Sequence, residues 1–318
     1  MKTISTTSLD VARHYAAAVT AQSRGNAEEA LQSFARAVEL DPKFALGYQG
    51  LAVMSANLGR VQDSEKYAAE ALRYLDGMTE RERHATCGYF YRRTGNYQRC
   101  KEEYGELIKK FPADVAAHNQ RAACLAQVRE TTAAVEEMRQ VVKILPNHPV
   151  YRSNLAVLLN HLSDFAGAEQ EIRTIAEPNA RALGALAMSQ QGLGLVREAA
   201  EIYERLSTMD AFGAVFGPAG LGDVAVYEGR FRDAIEIFAN GAAADIDAKR
   251  ADAAATKLTS VAYARLARGQ HDLALAAAES ALKNSTAPSI RFLAARIFVE
   301  TDQSASPQIT RHFATFRG

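Results

Sequence analysis

Neither sign of charge is in excess in this chain of 318 residues: 37 lysines and arginines stand against 37 aspartates and glutamates. A protein with no basic surplus lacks the general attraction toward phosphate backbones and anionic lipid. No nucleic-acid partner is therefore expected. Long apolar runs are missing too. None approaches the roughly 18 residues needed to span a bilayer, so no direct membrane insertion is expected. The stretch from Met1 to Ala21 lacks the apolar middle of an export signal, because Asp10, Arg13 and His14 interrupt it. The expected location is cytoplasmic, or extracytoplasmic if the intact protein carries a membrane anchor. Cysteine occurs three times, at Cys87, Cys100 and Cys124, which does not suggest a disulfide scaffold. Proline occurs only 8 times, and Ala, Leu, Glu, Arg and Gln abound, a mix that favours helix.

What is present can bury a core. Hydrophobic residues make up 48% and charged ones 23%, outside the range of disordered chains. A single globular core stops growing at about 250–300 residues. The chain is therefore either two domains or one elongated array.

A repeat decides between them. Gly25, Gly59, Gly95, Gly194, Gly229 and Gly269 each close one helical stretch and precede another, as in Thr94-Gly95-Asn96-Tyr97 and Glu228-Gly229-Arg230-Phe231. Glycine suits the residue after a helix because it takes positive φ without a Cβ clash. Gly59 lies 34 residues after Gly25, Gly95 36 after Gly59, Gly229 35 after Gly194, and Gly269 40 after Gly229. Arg129 and Ser163 take the equivalent turns where the glycine is lost. Five residues after each turn comes a small residue: Ala30, Ser64, Cys100, Ala134, Ala168, Ala199, Ala234 and Ala274. Four later comes a larger or apolar one: Phe34, Ala68, Tyr104, Met138, Ile172, Tyr203, Phe238 and Ala278. That spacing puts both on one helical face, where the small residue lets helices approach and the large one fills the gap beside it. Pro42, Pro112 and Pro146 then stop three of the units.

Small and aromatic residues at these spacings over a Gly turn, closed by Asp41-Pro42, resemble the tetratricopeptide repeat (TPR). Gly25, Ala30, Phe34, Ala37 and Pro42 sit at that family's signature positions, as do Gly88, Tyr91, Gly95, Tyr104 and Pro112. The family's usual tryptophan is replaced by His14, Tyr48, His84, His118 or Arg152. The resemblance implies an all-α solenoid, a right-handed superhelix of about eight helix-turn-helix repeats plus a terminal helix. Repeats are expected to start near Val11, Ala45, Arg81, Val115, Pro149, Ala180, Val215 and Ala255, with a final helix from Pro288 to Glu300. Residues 1–10 form a lead-in and 11–318 the repeat domain. The fifth spacing is short, and Ala242 to Ala254 reads as an Ala/Asp-rich extension. The opening Thr6-Thr7-Ser8-Leu9-Asp10-Val11 and the segment Thr79-Glu80-Arg81-Glu82-Arg83 are similar to the TPR arrays of bacterial Ser/Thr kinases and transcription regulators. The end looks cut after Phe298-Val299-Glu300-Thr301-Asp302, so a piece of a larger signalling protein is an expectation.

One hairpin cannot bury its apolar face, so neighbours do it for each other. First helices then line an inner groove, a binding surface for a protein or peptide ligand. On the repeat register, Gln49, Asn57, Tyr89, Arg92, Arg93, Asn119, Gln120, Asn154, Asn160, Tyr227 and Tyr263 point inward. Of these, Tyr89, Arg92, Arg93, Asn119, Gln120, Asn154 and Asn160 are the expected peptide-binding residues. Amides hydrogen-bond an extended backbone, and tyrosine offers apolar area with a polar tip. Asn154 fits one position of the carboxylate clamp of some TPR proteins, and Asn119 and Arg181 fall near others, but the clamp's lysines are missing.

Nothing else in the sequence carries chemistry. His14, His84 and His118 recur one hairpin apart, which suits packing rather than metal binding. Cys87 and Cys100 are expected side by side as buried free thiols. Gly213, Gly217, Gly220 and Gly222 lack the strand and Lys-Ser/Thr ending of a phosphate loop and read as a site of tight packing or a kink. No nucleophile–base–orienter set and no zinc-ligand spacing occurs, so neither enzyme activity, cofactor nor metal is expected. Catalysis in the groove and nucleic-acid binding remain the rival classes.

Overall fold

The computed structural model describes residues 8–24, 26–58 and 60–301. Among them every regular element is helical. Eight hairpins follow in order: α1 (Leu9–Ser23) with α2 (Ala27–Leu40), α3 (Ala45–Asn57) with α4 (Val61–Leu72), α5 (Glu80–Arg93) with α6 (Tyr97–Lys110), and α7 (Val115–Gln127) with α8 (Thr131–Ile144). Then come α9 (Pro149–His161) with α10 (Phe165–Arg173), α11 (Ala180–Gly192) with α12 (Val196–Leu206), α13 (Ala211–Tyr227) with α14 (Phe231–Asp247), and α15 (Ala251–Ala267) with α16 (His271–Asn284). The last helix among the described residues is α17 (Pro288–Glu300).

The turns work as the sequence requires. Gly95, Gly194, Gly229 and Gly269 all have positive φ, and so do Arg129 at 62° and Ser163 at 61°. At five of these six turns the next N–H reaches back to close the turn, as in Glu130 N to Leu125 O at 2.9 Å, Asp164 N to Leu159 O at 3.0 Å and Arg230 N to Ala225 O at 2.8 Å. That bond satisfies a carbonyl the helix end leaves free. The turns expected at Gly25 and Gly59 lie outside the described residues, as do Thr6, Thr7 and Asp302. The second helices often start on a side-chain cap: Asn96 accepts from Arg99 N at 3.2 Å and Asp164 from Gly167 N at 3.0 Å. Thr79 and Glu82 form a reciprocal capping box at the head of α5. The helices α2, α6 and α8 end two residues before Pro42, Pro112 and Pro146.

The stretch from Ala242 to Ala254 is not a loose extension. It is the end of α14, a turn at Lys249 with φ 58°, and the start of α15. Three consecutive helices of 17 residues, α13 to α15, accommodate the longer period, and α13 and α15 begin at Ala211 and Ala251.

The chain divides into two compact units, Met1–Tyr151 and Arg152–Gly318. In both, the small residue of each second helix is fully shielded: Ala30, Ser64, Cys100, Ala134, Ala168, Ala199, Ala234 and Ala274 are each 0% exposed. Their larger partners four residues on are all buried too. In the first unit these residues join clusters such as Ala18, Ala30, Phe34, Leu51 and Met54, packed across α1, α2 and α3. In the second unit one cluster gathers Ala234, Phe238, Ala262, Ala274, Ile297 and Phe298 from α14 to α17.

The glycine run in α13 is a close-packing device. A Cβ on Gly213 would strike the Leu206 carbonyl, and one on Gly222 would strike the Phe238 ring. The helix carries Pro218 internally and presses against both α12 and α14.

The thiols depart from expectation. Cys100 on α6 is bonded to Cys124 on α7, with Cα atoms 6.1 Å apart, and Cys87 is the free one. Cys100 and Cys124 occupy small-residue positions on helices that pack together across neighbouring hairpins. Within-hairpin reasoning paired Cys100 with the wrong cysteine because α6 packs against α7 of the next hairpin as well as against α5 of its own. Burial and the Glu103 carboxylate push the Cys87 thiol up to about 11.

Candidate functional site

First helices supply the candidate surface, because the second helices spend their apolar faces on packing. In the first unit, α5 and α7 stand beside each other. Of the expected groove residues there, Tyr89 is withdrawn: its side chain is buried and its hydroxyl donates to Ala52 O at 3.2 Å, tying α5 to α3. Gln49 accepts from Thr86 Oγ1 at 3.3 Å, another tie between the same helices. Arg92 and Arg93 remain half-buried, and Arg92 lies over the Tyr89 ring at 5.8 Å. The Nε atoms of both arginines and Oε1 of Gln120 are shut off from water and have no hydrogen-bond partner among the described residues. Asn119 is half-buried beside Gln120 on α7.

Asn154 and Asn160 belong to the second unit. Asn160 is buried, not displayed. Its Nδ2 donates to Ala185 O at 2.8 Å and its Oδ1 accepts from Ser189 Oγ at 2.9 Å, joining α9 to α11. Tyr89 and Asn160 are therefore corrected from groove residues to packing residues. A polar group at the seam between first helices satisfies backbone or side-chain partners there. Asn154 is half-buried on α9.

The histidine position has a structural role. His84 Nδ1 lies 2.8 Å from Glu103 Oε2, His118 bonds Glu137, and Arg152 bonds Glu171, each pair 19 residues apart. A repeated first-helix to second-helix polar link thus occupies this register position. Among the described residues no group of His, Cys, Asp and Glu is gathered closely enough to hold a metal ion, and no helix is long and apolar enough to cross a membrane.

The second unit contains a feature the sequence reading missed. A cleft of about 230 Å³ opens between α13, α15 and α17, walled by Asp223, Val226, Tyr263, Leu293, Arg296 and Glu300. Asp223 is an exposed residue of this cleft, and partial desolvation by the surrounding walls pushes its carboxyl up to about 6. Arg296 is turned to Glu300 at 3.5 Å. Tyr227, one helical turn after Asp223, is 64% exposed and Tyr263 is 49% exposed. A signal was available: Asp223 is the only charged residue in the 17-residue α13.

Residues 15–77 and 90–149 match the family model described as Tetratricopeptide repeat. Among curated proteins no sequence matches the chain. Solved structures do. A tetratricopeptide repeat protein from Parabacteroides merdae is 15% identical, with a TM-score of 0.57 over 93% of this chain and 100% of that one. A Cut9 and Hcn1 hetero-tetramer of the APC/C is 15% identical, with a TM-score of 0.63 over 88% of this chain and 54% of that one. The human IFIT1 dimer with PPP-AAAA is 17% identical, with a TM-score of 0.57 over 96% of this chain and 76% of that one. At such identities the likeness is one of fold: an all-α solenoid of helical hairpins.

Proposed function

We propose that this chain of tetratricopeptide repeats is a protein-interaction scaffold whose first helices hold a segment of a partner polypeptide. The observation that carries the reading is the set of unspent polar atoms on α5 and α7: Arg92 Nε, Arg93 Nε and Gln120 Oε1. A shielded donor or acceptor without a partner costs about 1–3 kcal/mol, a cost that a bound backbone or acidic side chain would remove. Asn119, beside Gln120 on α7, adds an amide suited to an extended backbone. The binding residues of this reading in the first unit are thus Arg92, Arg93, Asn119 and Gln120, without Tyr89; in the second unit Asn154 is a separate candidate, without Asn160. The finer reading, the interaction arm of a bacterial signalling protein, rests on the similarity of the opening residues and of 79–83 to such arrays.

The test is affinity capture with the whole chain, identification of bound proteins, and repetition with Arg92→Ala/Arg93→Ala. Capture that weakens at least tenfold in the double variant, with the helical signal and melting temperature preserved, supports the reading. Equal capture by the double variant, together with loss in a second-helix variant such as Glu106→Ala/Lys109→Ala, places binding on the opposite face and overturns it.

A further inference from the structure

The cleft between α13, α15 and α17 has a chemistry of its own. It holds two carboxylates, Asp223 and Glu300, and one cation, Arg296. Arg296 is engaged with Glu300, so the charge left over is that of Asp223. No cation among the described residues is paired with Asp223, and burial is the sole cause of its raised pKa. An anionic ligand would meet net repulsion here. An apolar one would strip more water from the carboxylate without replacing it, which is costly.

A cation on an aliphatic stem answers both halves of the cleft. Val226, Leu293 and the Tyr263 ring offer apolar wall to the stem, and the charged head pairs with the carboxylate. A tyrosine face adds cation–π attraction. Volume narrows the class further. At about 230 Å³ the cleft is below the usual 300–1,000 Å³ of small-molecule pockets, yet it is open along successive first helices. A side chain projecting from an extended polypeptide fits this shape. We propose that the cleft takes a lysine or arginine side chain of a partner segment, its cation seated on Asp223 and its stem and an adjacent apolar residue on Val226, Tyr263 and Leu293. The proposal rests on the scaffold reading above and adds a specificity to it.

Dye-labelled heptapeptides Ala-Ala-Leu-X-Leu-Ala-Ala-amide, with X as arginine, lysine, citrulline or glutamate, are titrated into the full chain and followed by polarisation. At pH 7.5 the arginine and lysine peptides should bind at least tenfold tighter than citrulline, and glutamate weakest. Asp223→Asn should bring arginine down to the citrulline level without lowering the melting temperature. Binding of the arginine peptide should weaken as pH falls through about 6, because protonation removes the charge it reads. The other groups facing Asp223 are Tyr203 of α12 and Arg296 and Glu300 of α17. Glu300→Gln should therefore keep the pH dependence, and Asp223→Asn should abolish it. Equal binding of citrulline and arginine, or undiminished binding by Asp223→Asn, overturns the proposal. A chain that captures cellular partners through Arg92 and Arg93 but ignores all four peptides loses the cleft and keeps the scaffold reading.

Discussion

Lys257 Nζ lies 2.6 Å from Asp245 Oδ2, with the two side chains 2% and 0% exposed. The same carboxylate accepts from Arg250 Nε at 2.8 Å, across the turn between α14 and α15. Two cations thus neutralise one buried carboxylate at the point where the repeat is lengthened. Breaking a buried pair from one side costs about 3–5 kcal/mol because a charge is left stranded. Lys257→Met should cost near the low end, about 3 kcal/mol, since Arg250 stays in place. Adding Asp245→Asn to it should cost less than the two single changes summed. A double-mutant cycle by chemical denaturation measures this, and strictly additive costs would show that the pair is not coupled.

Ala134 is 0% exposed and its neighbour Ala133 is exposed. Ala134→Leu should destabilise by roughly 1–3 kcal/mol through overpacking, and Ala133→Leu should stay within about 0.5 kcal/mol. Equal melting temperatures for the two variants would remove the close-packing role assigned to this register.

The turns at Arg129 and Gly229 should respond in opposite directions. Arg129 holds φ 62°, a conformation costly to residues with a Cβ. Arg129→Gly should stabilise by about 0.5–1 kcal/mol, the relief being partly offset by a more flexible unfolded chain. Gly229 has φ 75°, and a Cβ added there would meet nothing within 4 Å. Gly229→Ala should therefore lose about 1–2 kcal/mol from the backbone alone. Urea midpoints of the two variants decide whether left-handed turns set these hairpins.

Thiol counting tests the cysteine pairing. Alkylation in denaturant without reductant should label one thiol, Cys87, and all three after reduction. In the folded chain Cys87 should label slowly at neutral pH, since a thiol held near 11 yields little thiolate. Opening the bond, which closes a loop of 24 residues, should cost about 3 kcal/mol. Three labelled thiols in unreduced protein would mean that the protein's compartment keeps the bond open.

Much of this architecture could be read from the chain in one dimension. The turn residues, the small-residue register and the helix-stopping prolines are local. In a repeat fold each unit touches mainly its neighbours, so a local period carries most of the packing. That is why Arg129 and Ser163 could be placed at turns without a glycine, and why Ala134 could be named as buried.

The site was legible only in part, for a related reason. Sequence register gives the face a residue occupies, but not whether the adjoining first helix covers it. Tyr89 and Asn160 lie at seams, where the Ala52 and Ala185 carbonyls claim them, while Arg92, Arg93 and Gln120 keep atoms unspent. The partner of Cys100 and the cleft around Asp223 both depend on the distance between helices from different hairpins. The sequence by itself determined the repeat, its turns and its small-residue contacts, because these follow from backbone conformation and side-chain size along one helix. The tertiary structure decided which polar groups are consumed, which cysteines bond and where a lone carboxylate borders a cleft. Those outcomes depend on how neighbouring hairpins approach, and no single hairpin encodes that approach.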